Sequence, residues 1–351
     1  MSKYKLSIII PTYNAENYLL EAIGSVKNQS IGFENIELIL VDDNSSDNTK
    51  SILEELNAKY ENVKTIFLEE NSGSPSKPRN IGIKNASSEY IMFLDNDDSY
   101  QGDFCEKMYS TIVSNDVDIV SCRNYDICGE KINKYHSILD KKDKFIYLNS
   151  IEEDTSLLST TAMLIWNKIY KKSLFLKNDI QFPEGTLYED VYFNLQAYIN
   201  AHGIIYLNDY YGYNYNIRTE SEDKSTSQDF KKENLFKFYN GLENIFNYLD
   251  NHGKYYKNFE SEMLIGFIKW LLFTDCSSDE KLDLFRDFKK YYKRYSLFVR
   301  LYHIKLIPNM LINLGIKFIS FNDVCFKILA GLLILFSNIN YYFFQPIFLK
   351  T

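Results

Sequence analysis

The sequence predicts an α/β protein with a mostly parallel, doubly wound sheet, followed by a mostly α-helical C-terminal region. Three observations predict it. Short apolar runs recur at Leu6–Ile10, Ile36–Asp43, Val63–Leu68 and Tyr90–Leu94. Stretches of helical spacing separate them, so strands alternate with helices. Polar and acidic residues gather where the runs end, at the strand ends where such sheets bind ligands.

The elements follow in order. Leu6–Ile10 (LSIII) reads as a buried strand stopped by the turn Pro11-Thr12-Tyr13-Asn14. Tyr18, Leu19, Ile23 and Val26 then fall on one helical face. Ile36–Asp43 (IELILVDD) is a second strand, ending in paired carboxylates. Asn44-Ser45-Ser46-Asp47 supplies turn and N-cap residues for a helix carrying Ile52, Leu53, Leu56 and Tyr60. Val63–Leu68 and Tyr90–Leu94 are further strands, and Asp118–Ser121 is a candidate for another. Glu189 and Asp190 open a helix in which Val191, Leu195 and Tyr198 are helically spaced, with Gly203 as its terminator. Beyond residue 229 the pattern is helical: Leu235, Phe238, Leu242 and Ile245, then Leu264, Phe267, Ile268 and Leu271. Two domains are expected, 1–228 and 229–351.

The stretch YIMFLDNDD (Tyr90–Asp98) carries the most chemistry. A strand delivers Asp95, Asp97 and Asp98 to one spot. Three anions that close are stable only with a compensating cation or donor groups. Oxygen-rich clusters suit Mg²⁺ or Mn²⁺, which in turn bind phosphates. The competing explanation is an acidic turn after an edge strand. Convergence of Thr12, Asp42, Asp43, Asp95 and Asp97 at strand ends favours a functional site.

Four ordered segments, SIIIPTYNAENYL (Ser7–Leu19), VDDNSSDNT (Val41–Thr49), SKPRNIGI (Ser76–Ile83) and FLDNDD (Phe93–Asp98), resemble the inverting family 2 glycosyltransferases of GT-A fold, in particular bacterial enzymes that build or decorate wall and capsular polymers. One departure is Asn44, where the family carries Gly; Asn tolerates the same left-handed backbone. The resemblance implies a metal-dependent transferase using a nucleotide sugar, UDP-linked, and a glycan hydroxyl as acceptor. Asp42 or Asp43 would accept from the uracil imide, which only an acceptor can do. Thr12, with Pro11 and Tyr13, would line base and ribose. Arg79 would reach the phosphates with its guanidinium fork. Asp95, Asn96 and Asp97 form the DxD element. Asp97 would touch the metal, with Asp95 on ribose, metal or metal-bound water, and Asp98 in the donor cluster or capping the next helix.

An inverting displacement needs a carboxylate to take the acceptor proton. The resemblance points to Asp190 as that base, with Glu189 positioning the acceptor; the competing explanation is two acids favouring a helix N-terminus. Ile165–Leu174 (IWNKIYKKSL) is similar to a family segment, and Trp166 is either a wall for a sugar ring or core. Tyr213–Ser227 looks like a loop closing over the diphosphate. Arg218 is its phosphate clamp, helped by Lys224, with Asn216 where the family has a second Arg. Two other functions stand beside this one: transfer of an alditol phosphate from a nucleotide donor, and a non-catalytic nucleotide-sugar-binding subunit of a synthase.

Charge is uneven. Residues 281–351 hold 11 Lys and Arg against 3 Asp and Glu, whereas the whole chain carries −8. Residues 1–280 therefore carry −16, which argues against nucleic acid as a partner. The basic tail ends in the apolar run Ile328–Phe336, too short to span a bilayer of about 20 residues. It suits an interfacial helix on an anionic membrane, or a helical surface packed on the enzyme or on a second copy of the chain. Five scattered Cys and four His give no zinc spacing. Reduced thiols and a strand starting near the N-terminus, with no signal peptide, imply a cytoplasmic protein peripheral to the inner face of the cell membrane.

Overall fold

The computed structural model describes residues 2–134, 143–159, 163–217 and 231–274, and beyond these only 277, 280, 283, 284, 287 and 291. The chain divides into two compact units, 1–224 and 225–351.

The first unit is built on one sheet. Its parallel half comprises β1 (Leu6–Thr12), β2 (Ile36–Asp42), β3 (Val63–Phe67) and β4 (Tyr90–Phe93), in the order β3-β2-β1-β4. β1 and β2 are buried along their whole length, as strands covered on both faces must be. α1 (Leu19–Lys27) buries Leu19, Ala22, Ile23 and Val26, close to the expected face. α2 (Thr49–Lys59) fully buries only Thr49 and Leu53; Ile52 and Leu56 are half-buried. α3 (Ser76–Asn85) lies against β1 at Gly82. A Cβ there would sit 2.4 Å from Ile9 Cγ2, so only glycine allows this approach.

Beyond β4 the sheet departs from simple doubly wound order. After β5 (Ser99–Tyr100) and α4 (Phe104–Asn115), β6 (Ile119–Cys128) runs longer than the expected segment. Its hairpin partner is β7 (Lys131–Lys134), and β8 (Phe145–Leu148) pairs further along the sheet. β9 (Lys168–Lys171) enters antiparallel between β4 and β6. α5 (Lys172–Lys177) and α6 (Glu189–Asn200) follow, and β10 (Ile204–Asn216) runs parallel to β6 and antiparallel to β5. Gly203, at φ +82°, makes the turn after α6; a Cβ would collide with Val117. β10 replaces the expected start of a loop. The alternating YYGYNYN pattern (Tyr210–Asn216) has strand period 2, and register shifts near Tyr211 turn its last residues.

In the second unit α7 (Lys232–Asn251) buries Leu235, Phe238, Leu242 and Ile245, the expected stripe. α8 (Lys257–Phe273) packs on it, with Phe238 stacked on Trp270 at 5.2 Å between ring centroids. Among the described residues no helix is long and apolar enough to cross a membrane. The run Ile328–Phe336 lies outside the described residues, as do Arg218 and Lys224.

Candidate active site

The carboxyl ends of β1, β2 and β4 form one rim. Backbone pairing continues past the strands: Asp43 N donates to Thr12 O at 2.8 Å, and Leu94 N to Ile9 O at 3.1 Å. Thr12 and Asp42 are register partners, and Thr12 Oγ1 donates to Asp42 Oδ1 at 3.2 Å. Asp42 also accepts Ser45 N at 3.0 Å and Ser45 Oγ at 2.5 Å, closing the turn that carries Asn44. Asn44 has φ +61°, the left-handed conformation expected of it. Asp43 faces the other way and accepts Ser72 N and Ser72 Oγ, both at 2.9 Å. Both carboxylates are buried, yet each retains lone pairs for one further donor. Tyr13 is half-exposed beside them, and Pro11 is buried, its carbonyl accepting Asn96 Nδ2 at 3.1 Å. Asn96 thereby ties the β4 turn to β1.

The acidic turn is asymmetric. Asp95, Asn96 and Asp97 are half-buried, whereas Asp98 is 1% exposed. Asp98 caps no helix; the next one, α4, is preceded by Asp103. Instead Asp98 Oδ2 accepts Tyr213 Oη and Oδ1 accepts Asn216 N, both at 2.7 Å. Burial, then Asp97 and Asp95, push its carboxyl well above the usual range. Asn216 Nδ2 donates to Asp97 O at 2.7 Å. The end of β10 thus holds the turn. Asn216 and Tyr213 were legible in sequence only as loop residues. Trp166 is 6% exposed and stacks on Tyr213 at 4.0 Å and on Tyr215 at 5.8 Å, which makes it part of the core supporting this turn.

Glu189 and Asp190 begin α6, after Tyr188 at φ +65°. A non-glycine residue in that region is strained, and such strain recurs at functional sites. Burial, then Glu189, push Asp190 up to about 7; Arg79 and the Val191 N–H, 2.8 Å from Asp190 Oδ1, pull it back. A carboxyl raised toward neutrality in this way could take up a proton at neutral pH. Arg79, on α3, joins the two acidic groups. Its Nη2 donates to Asp95 Oδ1 at 2.8 Å and its Nη1 to Glu189 Oε1 at 3.1 Å. The side chain is 5% exposed, and burial opposes its charge, but Asp95 and Glu189 outweigh that and raise its pKa. Its Nε, with Ser74 Oγ and Ser76 Oγ nearby in the chain, is buried without a hydrogen-bond partner among the described residues. Lys168, unremarked in the sequence, is fully buried; its ammonium donates to Asn167 Oδ1 at 2.6 Å and to Leu164 O, and burial holds its pKa well below the ordinary value.

Among the described residues no group of three or more His, Cys, Asp or Glu forms a closed cation cage. Asp95 and Asp97 nevertheless fit Mg²⁺ or Mn²⁺. Hard cations of this kind are commonly held by one or two carboxylates together with substrate phosphates. The half-buried pair at a strand end has that character, although Asp95 Oδ1 also accepts Arg79 Nη2; both oxygens of buried Asp98 accept bonds from β10.

Comparison with known proteins agrees with this architecture. The family model described as glycosyl transferase family 2 matches residues 7–174. The poly(ribitol-phosphate) beta-glucosyltransferase of Bacillus spizizenii is 34% identical over 242 residues, 69% of this chain and 36% of that protein. Glycosyltransferase GlyG of Streptococcus pneumoniae is 30% identical over 211 residues, covering 58% of this chain and 68% of GlyG. The chain spans about a third of the length of the first curated relatives it matches. Among solved structures, S. aureus TarS 1-349 in complex with UDP-GlcNAc superposes with a TM-score of 0.55 at 25% identity, over 84% of this chain and 76% of that one. The sheet of the first unit has the GT-A architecture of this neighbour, and the described residues of the second unit are helical.

Proposed function

The chain belongs to glycosyl transferase family 2, and from that premise we propose that it is an inverting glycosyltransferase. It moves a sugar from a UDP-linked donor to a hydroxyl of a surface polymer of the poly(ribitol phosphate) or capsular kind. The observation that carries this is the meeting of two sequence-distant acidic groups, Asp95 and Glu189, on one guanidinium, with Asp190 beside them pushed to about 7. The names of the relatives, and the UDP-GlcNAc in the TarS structure, support the donor and acceptor classes.

The residues divide the work. Pro11, Thr12 and Tyr13 line the base and ribose, and the Asp42–Asp43 pair supplies the acceptor for the uracil imide. Asn96 fixes the turn that presents Asp95 and Asp97. Those two carboxylates would hold Mg²⁺ or Mn²⁺, which would supply charge stabilisation for the departing diphosphate. Arg218 is proposed to add a cationic contact to that diphosphate. Glu189 orients the acceptor. Asp190 removes the proton from its hydroxyl as the oxygen attacks the anomeric carbon from the face opposite the nucleotide.

The test needs only purified protein, Mn²⁺, a panel of nucleotide sugars and poly(ribitol phosphate). Free UDP and sugar on the polymer are both measured. Transfer from a UDP-sugar, abolished by EDTA, is expected. Full activity in EDTA removes the cation from the proposal, and no transfer from any UDP-sugar to any surface polymer overturns it.

A further inference from the structure

Resting on the transferase reading above, we propose that Arg79 is a positioning residue that couples the donor-side carboxylate Asp95 to the acceptor-side carboxylate Glu189, and not a ligand of the donor phosphates. The two carboxylates lie 16 and 110 residues from Arg79 in sequence, yet one guanidinium bridges them at 2.8 and 3.1 Å. A planar fork can do this; a single ammonium cannot reach both with the same geometry. Phe182 lies under the group, its ring centroid 5.5 Å from Cζ, and burial leaves the side chain 5% exposed. A cation so enclosed is held where its anions are, and it holds them in turn. Moving it to a phosphate would strip Glu189 of its charge partner inside the protein, a costly exchange.

The bridge has a consequence for order. Asp95 cannot give its full charge to Arg79 and to a bound donor complex at once. Donor occupancy therefore shifts the guanidinium's attraction toward Glu189 and Asp190, and the base side is completed when the donor is in place. The charged and titratable groups that act on Asp190 are Glu189 and Tyr188 from its own element, Arg79 from α3, Asp95 from the β4 turn, and Lys168 and Tyr170 from β9. Arg79 is the cation among them that also touches the donor side.

Calorimetry with UDP and Mn²⁺, which needs no knowledge of the sugar, is combined with steady-state turnover for the unaltered protein, Arg79→Gln and Arg79→Lys. For Arg79→Gln, UDP affinity should stay within about threefold of the parent or tighten, because Asp95 loses a competing cation. Turnover should fall by about a hundredfold, the scale of a small misplacement at the reacting atoms. The acid limb of the turnover profile should move to higher pH, since a cation favouring ionised Asp190 is gone. Should Arg79→Gln fail to fold, Arg79→Lys decides. It keeps the charge, so UDP affinity should hold while turnover falls, and parental turnover would overturn the bridge. A loss of UDP affinity of about tenfold or more in either variant, with the acid limb unmoved, would identify a phosphate ligand instead and also overturn it. Parent protein that binds UDP but transfers no sugar refutes the transferase reading, while the variants' UDP affinities still test the bridge.

Discussion

At Asp190 burial and the neighbouring Glu189 raise the carboxyl above its ordinary range, and that shift sets two expectations of opposite sense. The proposed base works only when ionised, so turnover should fall as pH drops through about 7, with an acid limb that Asp190→Asn eliminates along with about a hundredfold or more of the rate. UDP affinity by calorimetry should barely change, because the proposed role of the group is on the acceptor side. For stability the sign reverses. The folded carboxyl binds its proton more tightly than the unfolded one, so folding loses stability as pH rises from about 4 to about 7. Asp190→Asn should therefore melt higher than the parent at pH 8, and the gain should vanish near pH 4; chemical denaturation at the two pH values measures it. Asp97 is the other sharp residue. If it holds the cation as proposed, its conversion to Asn replaces a hard-cation ligand by a neutral amide, so transfer should disappear and Mn²⁺-dependent UDP binding weaken. The carboxylates were legible in sequence because acids at strand ends are conspicuous. Their different settings were not: Asp97 and Asp98 are neighbours in FLDNDD, and only the arrival of Tyr213 and Asn216 from β10 engages the Asp98 carboxyl and buries it, while Asp97 stays half-buried.

The elements that place these residues are tight where α3 crosses β1. Gly82→Ala would set a methyl against Ile9, and with Cβ 2.4 Å from Cγ2 the helix must move. Overpacking of this kind costs about 1–3 kcal/mol. The same shift displaces Arg79, one turn earlier on α3, so turnover should drop by more than the loss of folded protein explains. Activity per folded molecule, with the folded fraction from circular dichroism, checks this. The parallel half of the sheet was readable because LSIII, IELILVD and YIMF are short apolar runs bounded by turn residues. β9 was hidden, since KIYK (Lys168–Lys171) carries lysines at both ends and lacks the apolar run of the other strands; Lys168 is nevertheless fully buried. β10 was mistaken for a loop at its polar end, where tyrosines alternate with asparagines instead of with aliphatic residues.

For the whole molecule, the basic tail gives an expectation that the catalytic unit does not. With 11 Lys and Arg against 3 acids in residues 281–351, the 351-residue chain should float with anionic vesicles at low salt and be released by high salt, each basic residue near the surface contributing roughly 1 kcal/mol. Removing 281–351 should abolish flotation and leave UDP binding intact; indifference of the 351-residue chain to anionic vesicles would instead favour a protein interface. The insertion of β9 between β4 and β6 has a different consequence, in time. Strands at 90–93 and 119–128 leave the ribosome long before 168–171 and 204–216, the segments that lie between and beside them. Until then β6 presents unpaired backbone, a template for pairing with other chains. The acidic turn likewise lacks the residues that bury Asp98. Nucleotide binding should therefore be a late event in biogenesis. Stalled chains released at increasing lengths should acquire UDP-dependent protease protection only once residue 216 has emerged, and shorter chains should aggregate.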